Sequence, residues 1–279
     1  MYKTLIDCGQ LQEVMCATDA VVLDCRFDLA DTGAGRRAYE AGHIPGAQYV
    51  HLDEDLSGPK LPGHGRHPLP AADRLCEIFG RLGIGPTGQV VVYDAMGGML
   101  AAARAWWLLR YLGYEAVAVL DGGVPAWTAA GLPVRSGTET RAPVAFSGQP
   151  GARKIVAAAA VPTMPRLVDA RDPARFRGEA EPIDPVAGHI PGAVNHFCKN
   201  NLDSSARFKP VAELRALLGP AFGTTAAGQT VFYCGSGVTA CHNVLAAVHA
   251  GYDEPLLYAG SWSEWCSDPS RAVARGAAG

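Results

Sequence analysis

Cys234 is followed by Gly235, Ser236, Gly237, Val238 and Thr239, an order of residue types suited to a nucleophilic thiolate. Two glycines let the backbone bend tightly and aim successive N–H groups inward. Those amides, with the start of a helix behind them, form an anion site that would hold the cysteine as thiolate, the reactive form of the side chain. A cysteine that merely filled a core would not need two glycines directly after it.

The loop must be carried by a strand and a helix. Residues 230–233 (Thr-Val-Phe-Tyr) are β-branched and aromatic and form a short apolar run, the signature of a buried strand. Val238, Cys241, Leu245 and Val248 recur at helical spacing, predicting a helix that runs to about Ala250, with Gly251 as its stop. Cys241 falls on that apolar face and reads as packing.

The same arrangement is written twice in the chain. VLDCRFD at 22–28 answers LVDARDP at 167–173, AGHIPGA occurs at 41–47 and again at 187–193, and LDGGVPAW at 120–127 answers YAGSWSEW at 258–265. The offset drifts only from 145 residues (Asp24 to Asp169) to 138 (Trp127 to Trp265), which implies a duplicated domain rather than a short repeat. Where the second copy has Cys234 the first has Asp94, a carboxylate able to sit in the same ring of amides as a fixed anion. One half is therefore expected to be active and the other silent. His43 and His189 occur one in each copy of the GHIPGA turn, and Asp169–Arg171 is matched by Asp24–Arg26 in the silent half, so His43, His189, Asp169 and Arg171 are read as structural. Trp127 and Trp265 recur at matching positions and are read as core.

Each half alternates short apolar runs with helical patterns: in the first, runs at 21–23, 90–93 and 117–120 and a helix over about 99–112. That alternation predicts an α/β fold with a mainly parallel sheet covered by helices on both faces. In such folds ligands sit at the carboxyl ends of strands, where Cys234 is placed. Between the halves, residues 132–165 hold five prolines (133, 143, 150, 162, 165) and little periodicity. The expected organisation is a silent domain over 1–140, a linker over 141–165 and a catalytic domain over 166–279.

A net charge of −3 with no long run of one sign argues against nucleic acid or an anionic membrane as partner. The eight cysteines show no metal-ligand spacing and read as reduced thiols, so no metal or other cofactor is expected. The N-terminus lacks the pattern of a signal or transit peptide and no apolar stretch is long enough to span a bilayer, so a cytoplasmic location is expected.

With its duplication, twin GHIPGA turns and CGSGVTAC loop, the sequence resembles the two-domain rhodanese family of sulfurtransferases over nearly its whole length. The resemblance implies tandem rhodanese-like domains. The loop is similar to the version used on 3-mercaptopyruvate; the thiosulfate version carries an arginine and a lysine after the cysteine, where this chain has Gly235 and Ser236. A dianionic donor benefits from a cationic loop, whereas mercaptopyruvate needs its carboxylate caught elsewhere.

By that resemblance, Cys234 takes the sulfur of a small donor to form a persulfide and passes the persulfide's outer sulfur to a thiol such as thioredoxin or glutathione, or to cyanide. The amides of Gly235, Ser236, Gly237, Val238 and Thr239 stabilise the anions, and the Ser236 hydroxyl adds a hydrogen bond or relays a proton. Arg175, in Arg-Phe-Arg-Gly, matches a carboxylate-binding arginine of the family, although read alone it is a loop arginine. Where some members carry a second arginine a few residues on, this chain has Glu179-Ala180-Glu181-Pro182-Ile183-Asp184. Asp53 and His67 match an aspartate and a histidine proposed to work with the loop serine; read alone they are a surface carboxylate and a loop histidine. Two alternatives share the fold: a thiosulfate:cyanide sulfurtransferase and a persulfide-carrying relay protein with little turnover. A cysteine phosphatase is disfavoured, because the phosphate-gripping arginine six residues after the nucleophile is here Ala240.

Overall fold

The computed structural model describes residues 1–151 and 155–277. Residues 152–154 of the expected linker, and the last two of the expected catalytic domain, lie outside the described residues. The chain divides into two compact units. The first comprises Met1–Gly58, Pro70–Gly151 and Ser204–Phe208; the second comprises Pro59–Leu69, Ala152–Asp203 and Lys209–Gly279. Residues 59–69, written in the first copy of the sequence, thus cluster with the second unit.

In the first unit, strands β1 (Leu5–Ile6), β2 (Val21–Asp24), β3 (Gln48–Tyr49), β4 (Val90–Tyr93) and β5 (Val117–Leu120) form a parallel sheet in the order β1-β5-β4-β2-β3. Its helices are α1 (Cys8–Ala17), α2 (Ala34–Ala41), α3 (Ala72–Arg81), α4 (Ala101–Tyr111) and α5 (Gly123–Ala129). Every residue of β2, β4 and β5 is buried, as expected for strands covered on both faces. Each fully buried Val or Leu contributes about 1.5–3 kcal/mol of transfer free energy to such a core.

The second unit repeats this plan with β6 (Arg166–Asp169), β7 (Ala193–Asn195), β8 (Thr230–Tyr233) and β9 (Leu256–Leu257), all parallel, in the order β7-β6-β8-β9. Helices α6 (Pro173–Arg177), α7 (Val211–Phe222), α8 (Thr239–His249) and α9 (Ser261–Trp265) surround it. The counterpart of β1 is reduced to one parallel bridge between Ile155 and Leu257. The strand and helix predicted around Cys234 are β8 and α8; α8 stops one residue before Ala250, and Gly251 takes φ 80° just beyond.

The repeated motifs do repeated structural work. Arg26 grips Asp24 and donates to Gly42 O at 2.7 Å; Arg171 grips Asp169 and donates to Gly188 O at 2.6 Å. Each arginine thereby ties the end of a central strand to the GHIPGA turn. His43 and His189 are both buried, stacked on Tyr39 and Phe176, with Nδ1 hydrogen-bonded at 2.8 Å to the carbonyl of the same aromatic residue. Trp127 and Trp265 belong to the two cores, their indole N–H groups donating to Pro133 O and Ala272 O, both at 2.8 Å. A buried indole needs such a partner.

Candidate active site

β8 ends at Tyr233, and Cys234 begins the turn into α8. The backbone of Cys234 is held on both sides: its N–H donates to Ser261 Oγ at 3.0 Å, and its carbonyl accepts from Trp262 N at 3.0 Å. The next carbonyl, of Gly235, accepts from Ser263 N at 2.9 Å. Three consecutive residues at the start of α9 therefore clamp the loop. Ser261 adopts φ 55°, an uncommon conformation for a side-chain-bearing residue, and its hydroxyl in turn donates to Tyr258 O at 2.9 Å.

Gly237 N donates to Cys234 Sγ at 3.2 Å, so the loop folds an amide back onto the sulfur. Only glycine fits there: φ is 74°, and a Cβ would lie 2.2 Å from Ala259 O. Beneath the loop, the Cys241 thiol donates to Gly237 O at 3.3 Å, a packing and bracing role. Cys234 is 2 % exposed. Burial first, and then the charge of Cys234, push the thiol of neighbouring Cys198 up to about 12, so that second thiol stays protonated at neutral pH.

Ser236 and His67 are brought together: Oγ and Nδ1 share a hydrogen bond of 2.7 Å, and both residues are buried, at 6 % and 2 % exposure. Arg175 also reaches the loop, its Nη1 lying 3.7 Å from where a Cβ on Gly235 would stand. Asp53 lies in the first unit, where its amide donates to His51 Nδ1 at 3.2 Å.

Sequence reasoning missed two components. One is the serine-rich turn Ser261–Ser263, which orients the nucleophile's backbone; the only signal was the recurrence of that segment, credited to its tryptophan. The other is Arg66. Its amide donates to Ser263 Oγ at 3.0 Å, and its Nη1 donates to Asp184 Oδ1 at 2.6 Å. Asp184 Oδ2 accepts from Arg175 Nη2 at 3.1 Å, so one carboxylate steadies both guanidinium groups. Glu181 completes the cluster, taking Nη2 and Nε of Arg175 at 2.6 and 3.2 Å and Arg171 Nη1 at 3.3 Å. Burial would raise Glu181, but the Arg175 hydrogen bond and the amides of Asp184 and Ile183 outweigh it, so the carboxyl stays ionised below its ordinary range.

The first unit shows the same turn without a thiol. Asp94 accepts from Met96 N and Gly98 N at 2.8 Å through one oxygen, and from Leu100 N and Ala102 N at 3.1 and 3.4 Å through the other. A fixed carboxylate thus occupies the amide ring. Arg26, the cation lining the adjoining cavity of about 160 Å³, is bonded to Asp24.

The arrangement in the second unit brings together a cysteine sulfur that accepts from a loop amide, a hydroxyl–imidazole pair and two guanidinium groups at the carboxyl end of a parallel sheet. Comparison with known proteins agrees with that chemistry. A Pseudomonas aeruginosa protein named "Probable 3-mercaptopyruvate sulfurtransferase" is 47 % identical over 279 residues, covering 98 % of both chains. A Gallus gallus "Thiosulfate sulfurtransferase" is 32 % identical over 262 residues, covering 88 % of this chain and 85 % of that one. The solved structure of a 3-mercaptopyruvate sulfurtransferase from Leishmania major superposes with a TM-score of 0.84 at 29 % identity, covering 94 % of this chain and 74 % of the other. The family of the rhodanese-like domain matches residues 7–130 and again 152–268, and with both halves accounted for this chain belongs to the rhodanese-like sulfurtransferases.

Proposed function

We propose that the enzyme moves sulfane sulfur from 3-mercaptopyruvate through a persulfide on Cys234 to a thiol or cyanide acceptor. The reading rests on the 2.7 Å hydrogen bond between His67 and Ser236. Thiosulfate cleavage releases sulfite, a stable anion that needs no proton. Cleavage of mercaptopyruvate expels the enolate of pyruvate, and the donor's own thiol proton has to end on carbon. An imidazole–hydroxyl pair formed by His67 with the serine of the nucleophile's loop suits the second task and is superfluous for the first.

In the first half-reaction the Cys234 thiolate attacks the donor sulfur. The S–S bond forms as the C–S bond breaks, and the electron pair leaves on pyruvate as its enolate. The thiol proton passes through Ser236 and His67 to that carbon, so thiolate plus mercaptopyruvate becomes persulfide anion plus pyruvate. In the second, an acceptor thiol takes the outer sulfur and returns Cys234 to thiolate. Gly237 N is placed to donate to whichever sulfur carries the charge, and removal of such a donor costs about 10²–10³ in rate in comparable sites. Arg175, whose Nη1 lies 3.7 Å from where a Cβ on Gly235 would stand, adds positive charge for the donor's carboxylate. The protein acceptor, whether thioredoxin or another thiol, is set by access to the persulfide.

Steady-state turnover of 3-mercaptopyruvate and thiosulfate side by side, with wild type and Cys234→Ser, tests the assignment. Mercaptopyruvate should win by orders of magnitude and Cys234→Ser should be inactive. A preference for thiosulfate would transfer the assignment to that donor, and no turnover of either would favour a sulfur-relay protein.

A further inference from the structure

We propose that Arg66, rather than Arg175, supplies the bidentate grip on the donor's carboxylate, and that Gly235 is present to make room for it. The inference deepens the reading above and rests on it for the donor's identity, though not for the anion chemistry.

A guanidinium binds a carboxylate best through two parallel N–H donors on one edge. In Arg175 the edge formed by Nε and Nη2 is already taken by Glu181, at 3.2 and 2.6 Å, which leaves Nη1 facing the loop. Arg66 is arranged the other way round. Its Nη1 is held by Asp184 at 2.6 Å, while its Nε is buried with no hydrogen-bond partner among the described residues. Nη2, on the same edge as that Nε, lies 3.1 Å from the position a Cβ on Gly235 would take. The free fork of Arg66 therefore opens directly beside the residue that follows the nucleophile.

Arg66 is set by its backbone N–H on Ser263 Oγ and its Nη1 on Asp184, a carboxylate held in turn by Arg175. A buried N–H without a partner is costly, and a carboxylate oxygen arriving with the substrate is the chemistry that would satisfy it. A side chain at 235 would press on Arg66 Nη2, so an uncharged, minimal residue at 235 and an arginine at 66 go together. The cation missing from residues 179–184 is supplied from residues 59–69 instead, and 179–184 provide the carboxylates that aim it.

Alkylation of Cys234 with iodoacetate, which carries a carboxylate, and with iodoacetamide, which does not, tests the assignment, the modified peptide being read by mass spectrometry. The ratio of the two rate constants reports carboxylate capture whatever the natural donor is. Arg66→Gln should lower that ratio about tenfold or more, since a hydrogen-bonded charge contact is worth about that factor. Arg66→Lys should retain part of it through charge alone, and Arg175→Gln should lower it less than Arg66→Gln. An unchanged iodoacetamide rate certifies that the loop is folded in each variant, and Arg66→Lys serves if Arg66→Gln fails that control. With 3-mercaptopyruvate, Arg66→Gln should raise KM at least tenfold with a smaller change in kcat. A ratio unchanged in Arg66→Gln and Arg66→Lys, or lowered only by Arg175→Gln, overturns the assignment even if mercaptopyruvate proves to be the donor. If thiosulfate proves to be the donor and the ratio still collapses in Arg66→Gln, the anion fork stands and the donor reading falls.

Discussion

At the scale of single residues, the site separates its tasks. In the mechanism we propose, Cys234 carries the sulfur, Gly237 N, which donates to Cys234 Sγ, the sulfur's negative charge, and the hydrogen-bonded pair Ser236 and His67 the proton. A relay of this kind contributes about 10²–10⁴-fold to a proton-dependent step. Ser236→Ala is therefore expected to lower kcat for 3-mercaptopyruvate by about that range, while the rate at which iodoacetamide modifies Cys234 stays close to that of wild type. A parallel fall in both would mean that the serine shapes the loop rather than moving the proton. The acids of the cluster act as buttresses: Glu181 holds Arg175 by its Nε–Nη2 edge, and Asp184 holds Arg66 through Nη1 and leaves its Nη2 facing Gly235.

At the scale of elements, a helix of five residues has an influence out of proportion to its length. The start of α9 satisfies the N–H and carbonyl of Cys234 and the carbonyl of Gly235, backbone groups that the bend after β8 would otherwise leave buried and unpaired. Ser261→Ala removes the acceptor for Cys234 N, at a cost of about 1–3 kcal/mol for the stranded N–H. The expected outcome is a lower Tm for the second unit together with a lower kcat, measured by calorimetry and turnover on the same preparation. Full stability with lost activity would instead give Ser261 a direct part in chemistry. The loop after β4 reaches the same end differently, with four amides converging on one carboxylate, so the first unit keeps the bend without a thiol.

At the scale of the whole molecule, the two units respond to acid with opposite signs. In the second unit burial holds His196 and His249 below the ordinary imidazole value, with the Asn201 hydrogen bond only partly restoring His196. A base held low in the folded state binds fewer protons than it does unfolded. Its contribution is complete above the unfolded value of about 6.5 and is lost as pH falls through the lowered one. In the first unit burial raises Asp94 despite its four amides; that contribution is present below about 3.9 and lost as pH rises through the raised value. Hydrogen exchange at pH about 7 and about 5.5 should show amides of the second unit losing more protection than those of the first. Equal losses in both units would remove the histidines as the cause. Among the described residues no helix is long and apolar enough to cross a membrane.

The parts of this protein that were legible in its sequence are those built from neighbouring residues. The strand–bend–helix around Cys234, its thiol-free twin at Asp94 and the parallel α/β plan all follow from period, propensity and glycine placement within about twenty residues. Comparing the two copies then separates repeated structure, such as Asp24–Arg26 and Asp169–Arg171, from what only one copy carries. Tertiary structure alone decided what surrounds the sulfur. Arg66 and Asp184 are 118 positions apart, His67 and Ser236 are 169, and Arg66 and Ser263 are 197. No local pattern encodes such pairs, because they exist only once residues 59–69 are folded among the residues of the second unit. For the same reason Arg175 could be matched by its motif, while the edge of its guanidinium that remains available depends on Glu181 and becomes visible only in three dimensions.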